Sequence, residues 1–334
     1  MKEFRCTCGN RLYFDNSRCL ACGREAGFDP ASLQLVAVES AGVGDEWHKA
    51  GGSNRYRFCL NREWHCNWLL DADDSSGYCA SCRLTRTLPN LARDDNLMLW
   101  TRLEGAKRRL LYDLLSLGLS IDEQRLRFEF LEDRRTNPLV REMHVYTGHR
   151  DGVITINVAE ADDSAREAIR EAMGESYRTL LGHMRHESGH YYWSVVVDTE
   201  ESLAECRSLF GDEREDYQSA LQRYHERGPG AGSPSAYVSA YAASHPTEDW
   251  AECRAHFLHI ADTLETAANA GLIPADVGIR DERWLDRWTE VAVALNEMNR
   301  SLGLRDAYPF SLSPAVCEKL EFIRRRVLYS SAPP

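Results

Sequence analysis

The 334-residue chain has no apolar run approaching the ~20 residues that a membrane-spanning helix needs, which argues against a helical membrane protein. Its N-terminus, Met1-Lys2-Glu3-Phe4-Arg5-Cys6, lacks the apolar core of a signal peptide and points to a cytoplasmic, reducing compartment. A basic excess is also missing, since 40 Lys and Arg face 52 Asp and Glu for a formal net charge of −12. Through residue 90 the two signs balance at eleven each, so the acidic excess belongs to the remainder. A nucleic-acid partner requires a basic stripe that neither part supplies. Internal repeats are absent, apart from two cysteine-rich stretches that differ in spacing.

In a reducing compartment the eleven cysteines need a role other than disulfides. Cys6-x-Cys8 and Cys19-x-x-Cys22, two close pairs on expected tight turns, have the ligand spacing of a four-thiolate zinc ribbon over residues 1–30. Cys59, Cys66, Cys79 and Cys82 form a second group within residues 31–92. Its first pair is wider, which leaves Cys59 or His65 as its fourth ligand. The stretches 41–45 and 51–54 between the groups read as turns or loops. Cys206, Cys253 and Cys317 are isolated and expected to be buried small apolar residues.

Residues 93–334 change in character. Apolar residues at helical spacing between Leu97 and Leu115 predict a helix ending near Gly118, with Lys107-Arg108-Arg109 on a solvated face. Strands are expected at 126–131, 145–146 and 152–158. Ser164 and Glu167 have capping-box spacing, and apolar positions from Ala165 to Met184 predict one long amphipathic helix. Further helices are expected at 213–227, from Pro246 onward, and at 283–302 and 314–328. Between the first two, Gly228–Pro234 reads as a flexible loop able to rim a cleft.

Late on the expected long helix lies His186-Glu187-x-x-His190. Imidazoles four residues apart share a helix face, with Cβ atoms about 5–6 Å apart, so both can reach one Zn²⁺ while Glu187 sits beside it. A zinc ion there would lower the pKa of a water toward about 7, and Glu187 could take its proton and return it to a leaving group. A catalytic zinc usually has a third protein ligand. Glu248 and Glu252, one turn apart on the helix begun by Pro246, share the face marked by Ala251 and Ala255; Glu248 is the expected ligand and Glu252 the acid that orients an imidazole.

The chain resembles a bacterial family of zinc-binding metallopeptidases with an N-terminal zinc-ribbon domain. The resemblance runs through Cys6–Cys22, Cys66-Asn-Trp68, Cys79-Ala-Ser-Cys82-Arg-Leu84, Tyr146-Thr-Gly-His149, Glu160-Ala-Asp162, Tyr177–Trp193 and Ser239–Glu252. It implies a zinc hydrolase without naming a substrate. The acids one turn apart also look like those of glutamate-liganded, thermolysin-type zincins, or gluzincins, although Glu252 stands where those enzymes carry Asp. In such enzymes a Tyr and a His stabilise the oxyanion; Tyr241 is the first candidate here, with Tyr237 and His245 behind it.

The expected fold is therefore α+β: zinc-ribbon modules at 1–30 and 31–92, then a zincin-like metallopeptidase domain at 93–334 with a small sheet and mainly helices. The expected cofactor is Zn²⁺, two structural ions and one catalytic. The expected partners are a peptide or protein substrate and a protein docked through the ribbons. The competing reading is a non-catalytic zinc-ribbon scaffold that binds a protein or nucleic-acid partner; such a scaffold has no use for Glu187 between its ligands.

Overall fold

Each close cysteine pair near the N-terminus is followed by a glycine in the left-handed region, Gly9 at φ 88° and Gly23 at φ 77°, which costs glycine little. These glycines donate their N–H groups to the carbonyls of Cys6 and Cys19, both at 2.8 Å, closing a four-residue and a five-residue turn. The computed structural model describes residues 2–42, 44–93, 95–135, 137–173, 175, 177–228 and 235–330. Residues 229–234 of the expected Gly228–Pro234 loop lie outside the described residues. The chain forms two compact units, residues 1–116 with 120–165, and residues 117–119 with 166–334.

The first unit opens with a hairpin of β1 (Phe4–Arg5) and β2 (Arg11–Leu12). An antiparallel meander follows, made of β3 (Glu25–Asp29), β4 (Gln34–Ser40), β5 (Trp47–Lys49), β6 (Arg55–Phe58) and β7 (Leu69–Asp71). The expected loops at 41–45 and 51–54 fall in its turns; the short polar strands between them carry too little alternation to be read from sequence. Phe28 of β3 anchors the core, with ring centroids of Phe14 and Trp68 at 5.0 and 4.9 Å.

The rest of this unit comprises β8 (Thr85–Thr87), α1 (Asn96–Ser116), β9 (Arg127–Leu131), β10 (Gly148–Arg150) and β11 (Val153–Asn157). Its sheet has the order β10-β11-β9-β8, parallel except for β10 with β11. The strand expected at 145–146 lies at 148–150 instead, and Tyr146 is exposed.

The basic triplet on α1 is also corrected. Lys107 is fully buried and Arg108 is 5 % exposed. Lys107 pairs with Glu104 at 2.9 Å, bonds Thr85 Oγ1, and lies 5.6 and 5.7 Å from the ring centroids of Phe128 and Phe130. A buried charge is tolerable only when paired; the pairing charge, Glu104, is one turn back on the same helix, whereas the Thr85 hydroxyl and the Phe128 and Phe130 rings that enclose Lys107 come from strands that the helix spacing does not reveal.

The second unit is helical: α2 (Asp163–Met173, which begins in the first unit), α3 (Leu180–Val196), α4 (Glu200–Phe210), α5 (Tyr217–Arg227), α6 (Pro246–Asn269), α7 (Trp284–Ser301) and α8 (Pro314–Ser330). With the strand-rich N-terminal region, this makes an α+β protein. The single long helix expected from residue 164 is two helices. Thr179 accepts the N–H of Gly182 at 3.0 Å and caps a new start, while Asp162, not Ser164, bonds the first turn of α2. Tyr177, Leu180, Leu181 and Met184 keep helical spacing across the break, which hides it in the sequence. No helix among the described residues is long and apolar enough to cross a membrane. Cys206 and Cys253 are buried and Cys317 partly so.

Replacing Lys107 by Met should strand the Glu104 carboxylate and cost about 3–5 kcal/mol, read as a lower denaturant midpoint. The double variant Lys107→Met/Glu104→Leu should recover most of that loss. Equal stability of the single variant and wild type would show that the pair contributes nothing.

Candidate metal centre

The helix break sets where the motif falls. With Thr179 as cap, His186, Glu187 and His190 lie in the middle of α3, where the backbone is fully hydrogen-bonded and the side chains are held firmly. Gly189, between the two histidines, lets α6 approach. A Cβ built on it would lie 3.0 Å from Ala251 Cα and 3.3 Å from Ala251 Cβ. Trp250 Nε1 donates to the Gly189 carbonyl at 3.0 Å. Arg185 bridges the same two helices, with Asp262 at 2.7 Å and His259 Nδ1 at 2.5 Å. Arginine can only donate, so His259 Nδ1 accepts; burial and the Arg185 charge hold this imidazole well below its usual pKa.

This close approach brings three donor atoms to one point. His186 Nε2 is 3.0 Å from Glu248 Oε2, His190 Nε2 is 3.5 Å from the same oxygen, and the two nitrogens are 3.3 Å apart. Zinc bonds of about 2.0–2.1 Å require tetrahedral edges of about 3.3–3.4 Å, so the triangle already has nearly the size a zinc ion needs. A ligand atom of Glu187 lies within 4.8 Å of those of both histidines. Burial raises the Glu248 carboxyl, but hydrogen bonds with His186 and His190 outweigh it and hold the group ionised well below its usual range.

Glu252, one turn along α6, faces the other edge of His186 and accepts from Nδ1 at 2.8 Å. The Nε2 edge, toward His190 and Glu248, is the one left for a metal. Burial opposes ionisation of Glu252, yet the His186 hydrogen bond brings its pKa down to about 2. Asp249 turns away to a buried pair with Lys319 of α8 at 2.5 Å.

Of the oxyanion candidates, Tyr241 lies nearest the histidines, its ring centroid 6.1 Å from that of His186. It is 39 % exposed. Desolvation and the nearby Glu248 charge keep the phenol protonated well above its ordinary pKa. His245 is instead the N-cap of α6. Its Nδ1 accepts from Thr247 N at 3.1 Å, so its Nε2–H donates to the Glu215 carbonyl at 3.0 Å. Tyr237 packs beneath the Lys319 ammonium at 4.7 Å. Sequence reasoning missed Tyr217 of α5, whose hydroxyl is 3.4 Å from that of Tyr241 and whose pKa is raised by burial and by Glu248. It also gave no role to Ser239. Nothing in the local pattern of either residue marks it.

The cysteines gather in the first unit as two groups of four, each with all its sulfurs within 4.8 Å of one another. Cys6–Cys22 and Cys8–Cys19 are both 3.6 Å apart, and Cys66 lies 3.7 Å from Cys79 and from Cys82. Zinc–sulfur bonds of about 2.3 Å require edges of about 3.8 Å. The fourth member of the second group is Cys59, while the His65 side chain is exposed. Arg108 donates to the His65 carbonyl at 3.4 Å; its charge is opposed by burial and favoured by Cys66, Glu104, Cys82 and Cys79.

Family comparison agrees with this inventory. Residues 3–93 match a zinc-ribbon domain, and residues 96–326 match the family described as "Putative zinc-binding metallo-peptidase". The chain belongs to that metallopeptidase family. Similar full-length relatives occur in Mycobacterium bovis and in two strains of Mycobacterium tuberculosis, each 40% identical over 97% of this chain and 94% of its own length. All three are named only as uncharacterized proteins. No solved structure matches the chain. In this metallopeptidase-family chain the family match spans α3 and α6, which carry the histidines and Glu248.

Gly189→Ala tests the helix contact. A gain of up to about 1 kcal/mol in helix propensity is set against overpacking of about 1–3 kcal/mol on the Ala251 backbone. The expected net result is a lower melting temperature and weaker zinc binding at the histidines. Unchanged values of both would mean that the helices have room to spare.

Proposed function

We propose that this protein is a gluzincin-like zinc metallopeptidase that hydrolyses a peptide or amide bond. His186, His190 and Glu248 hold the catalytic zinc, and the two cysteine groups hold structural ions. The observation that carries the reading is the near-tetrahedral edge of 3.0–3.5 Å among the three donors, with a carboxylate beside them. When bound, zinc supplies Lewis acidity and acidifies water.

The chain's own residues do the rest. Glu187 takes the proton of the attacking water and passes it to the leaving nitrogen. Tyr241 stays protonated and donates to the oxygen that gains charge. Glu252 holds His186 in the tautomer with hydrogen on Nδ1. The ribbon modules at 1–30 and 31–92 serve as a docking platform for a protein partner, and residues 93–334 carry the catalysis, in a cytoplasmic setting. A purely structural zinc site gains nothing from a buried carboxylate such as Glu187, which is 7% exposed.

Elemental analysis should find about three zinc ions per chain. Glu248→Ala should bind one fewer, and Glu252→Ala should retain the third ion with affinity weaker by about 10–100-fold. The reverse ranking would move the ligand one turn along α6. Glu187→Gln should keep three zinc ions and lose hydrolysis of casein or a peptide library that wild type cleaves; wild-type turnover by this variant would remove Glu187 as the base.

A further inference from the structure

We propose that Ser239 is a positioning residue that fixes both the metal-binding tautomer of His186 and the placement of Tyr241. The inference rests on the reading of His186, His190 and Glu248 as zinc ligands. Ser239 Oγ donates to Glu252 Oε2 at 2.6 Å, while Glu252 Oε1 accepts from His186 Nδ1 at 2.8 Å. The backbone N–H of Ala242 donates to the same Ser239 oxygen at 3.1 Å.

The direction of these bonds is forced. A backbone N–H can only donate, so Ser239 Oγ accepts there and its single proton is committed to Glu252. Both carboxylate oxygens of Glu252 are then engaged by separate partners, which stops the group from rotating. A fixed carboxylate keeps hydrogen on His186 Nδ1 and leaves Nε2 facing Glu248 and His190. The other bond closes the tight turn Tyr241–Ser244 at its start. One hydroxyl thus joins a zinc-binding imidazole to the phenol proposed to act on the substrate, across segments 53 residues apart in sequence. The sequence places Ser239 at the start of a segment that carries the family resemblance but gives it no partner.

The test is a zinc titration of the full chain against a competing chelator, with thermal unfolding alongside. Ser239→Ala should weaken the third zinc by about 10-fold, the lower end of the range for groups that orient a ligand. The two four-cysteine sites should not move, nor should the unfolding midpoint measured with the third zinc removed by the chelator. Ser239→Thr keeps a hydroxyl and should restore most of the affinity. With cobalt(II) in the third site, the visible bands should shift in Ser239→Ala and return in Ser239→Thr.

A double-mutant cycle separates positioning from general loosening. In a Glu252→Ala background, Ser239→Ala should cause no further loss, because the bond it removes no longer reaches His186. Wild-type affinity in Ser239→Ala, additive losses with Glu252→Ala, or equal weakening of all three zinc ions would overturn the inference. A wild-type protein that holds no zinc beyond the cysteine sites would overturn the ligand assignment instead, a separate and recognisable result.

Discussion

The second unit depends on how closely α3 and α6 pack, and that distance is set by a backbone-to-backbone contact at Gly189 and Ala251. A Cβ at Gly189 would meet Ala251 at 3.0–3.3 Å, so a side chain there would push the helices apart by a few tenths of an ångström. The polar groups nearby reinforce the contact. Trp250 bonds the Gly189 carbonyl, the Arg185 guanidinium reaches across to Asp262 and His259, and Lys319 draws Asp249 to the far side. Each of these pins a face of α6, so Glu248 and Glu252 have little choice of direction.

The same contact explains the electrostatics of the site. Glu187 and Glu248 lie beside the paired imidazoles and Glu252 backs His186 from its Nδ1 edge, in a largely dry setting that favours a cation between the Nε2 edges. The carboxylates nevertheless divide their work by reach and turn. Glu248 meets the Nε2 edges, Glu252 meets the Nδ1 edge of His186, and Glu187 stands on the motif helix itself. The first unit balances charge in a similar way, with Arg108 set close to Cys66, Cys79 and Cys82.

How much of this could be read beforehand depended on the range of each interaction. The cysteine pairs and the His-Glu-x-x-His spacing are local and stood out at once, as did the Pro246 helix start. The five-stranded meander did not, because most of its strands are only three to five residues long, too short for an alternating pattern to stand out until their partners are known. The break before α3 was hidden because Tyr177, Leu180, Leu181 and Met184 keep helical spacing in the sequence across it. Lys107 and Arg108 looked solvated because their partners, Glu104 aside, lie on other elements.

The sequence by itself determined the chemistry on offer: one four-cysteine group and a second cysteine cluster with its fourth ligand open, two imidazoles and a carboxylate within one helical turn, and a second acidic pair on another helix. Those choices follow from residue type and from the 3.6-residue turn, which operate over a few positions. Only the tertiary structure decided which edge of His186 meets Glu248 and which meets Glu252, that Cys59 rather than His65 completes its group, and that Ser239 bonds Glu252 and Tyr217 lies beside Tyr241. Side-chain direction across a helix contact depends on packing between residues tens of positions apart, and no local pattern carries that information.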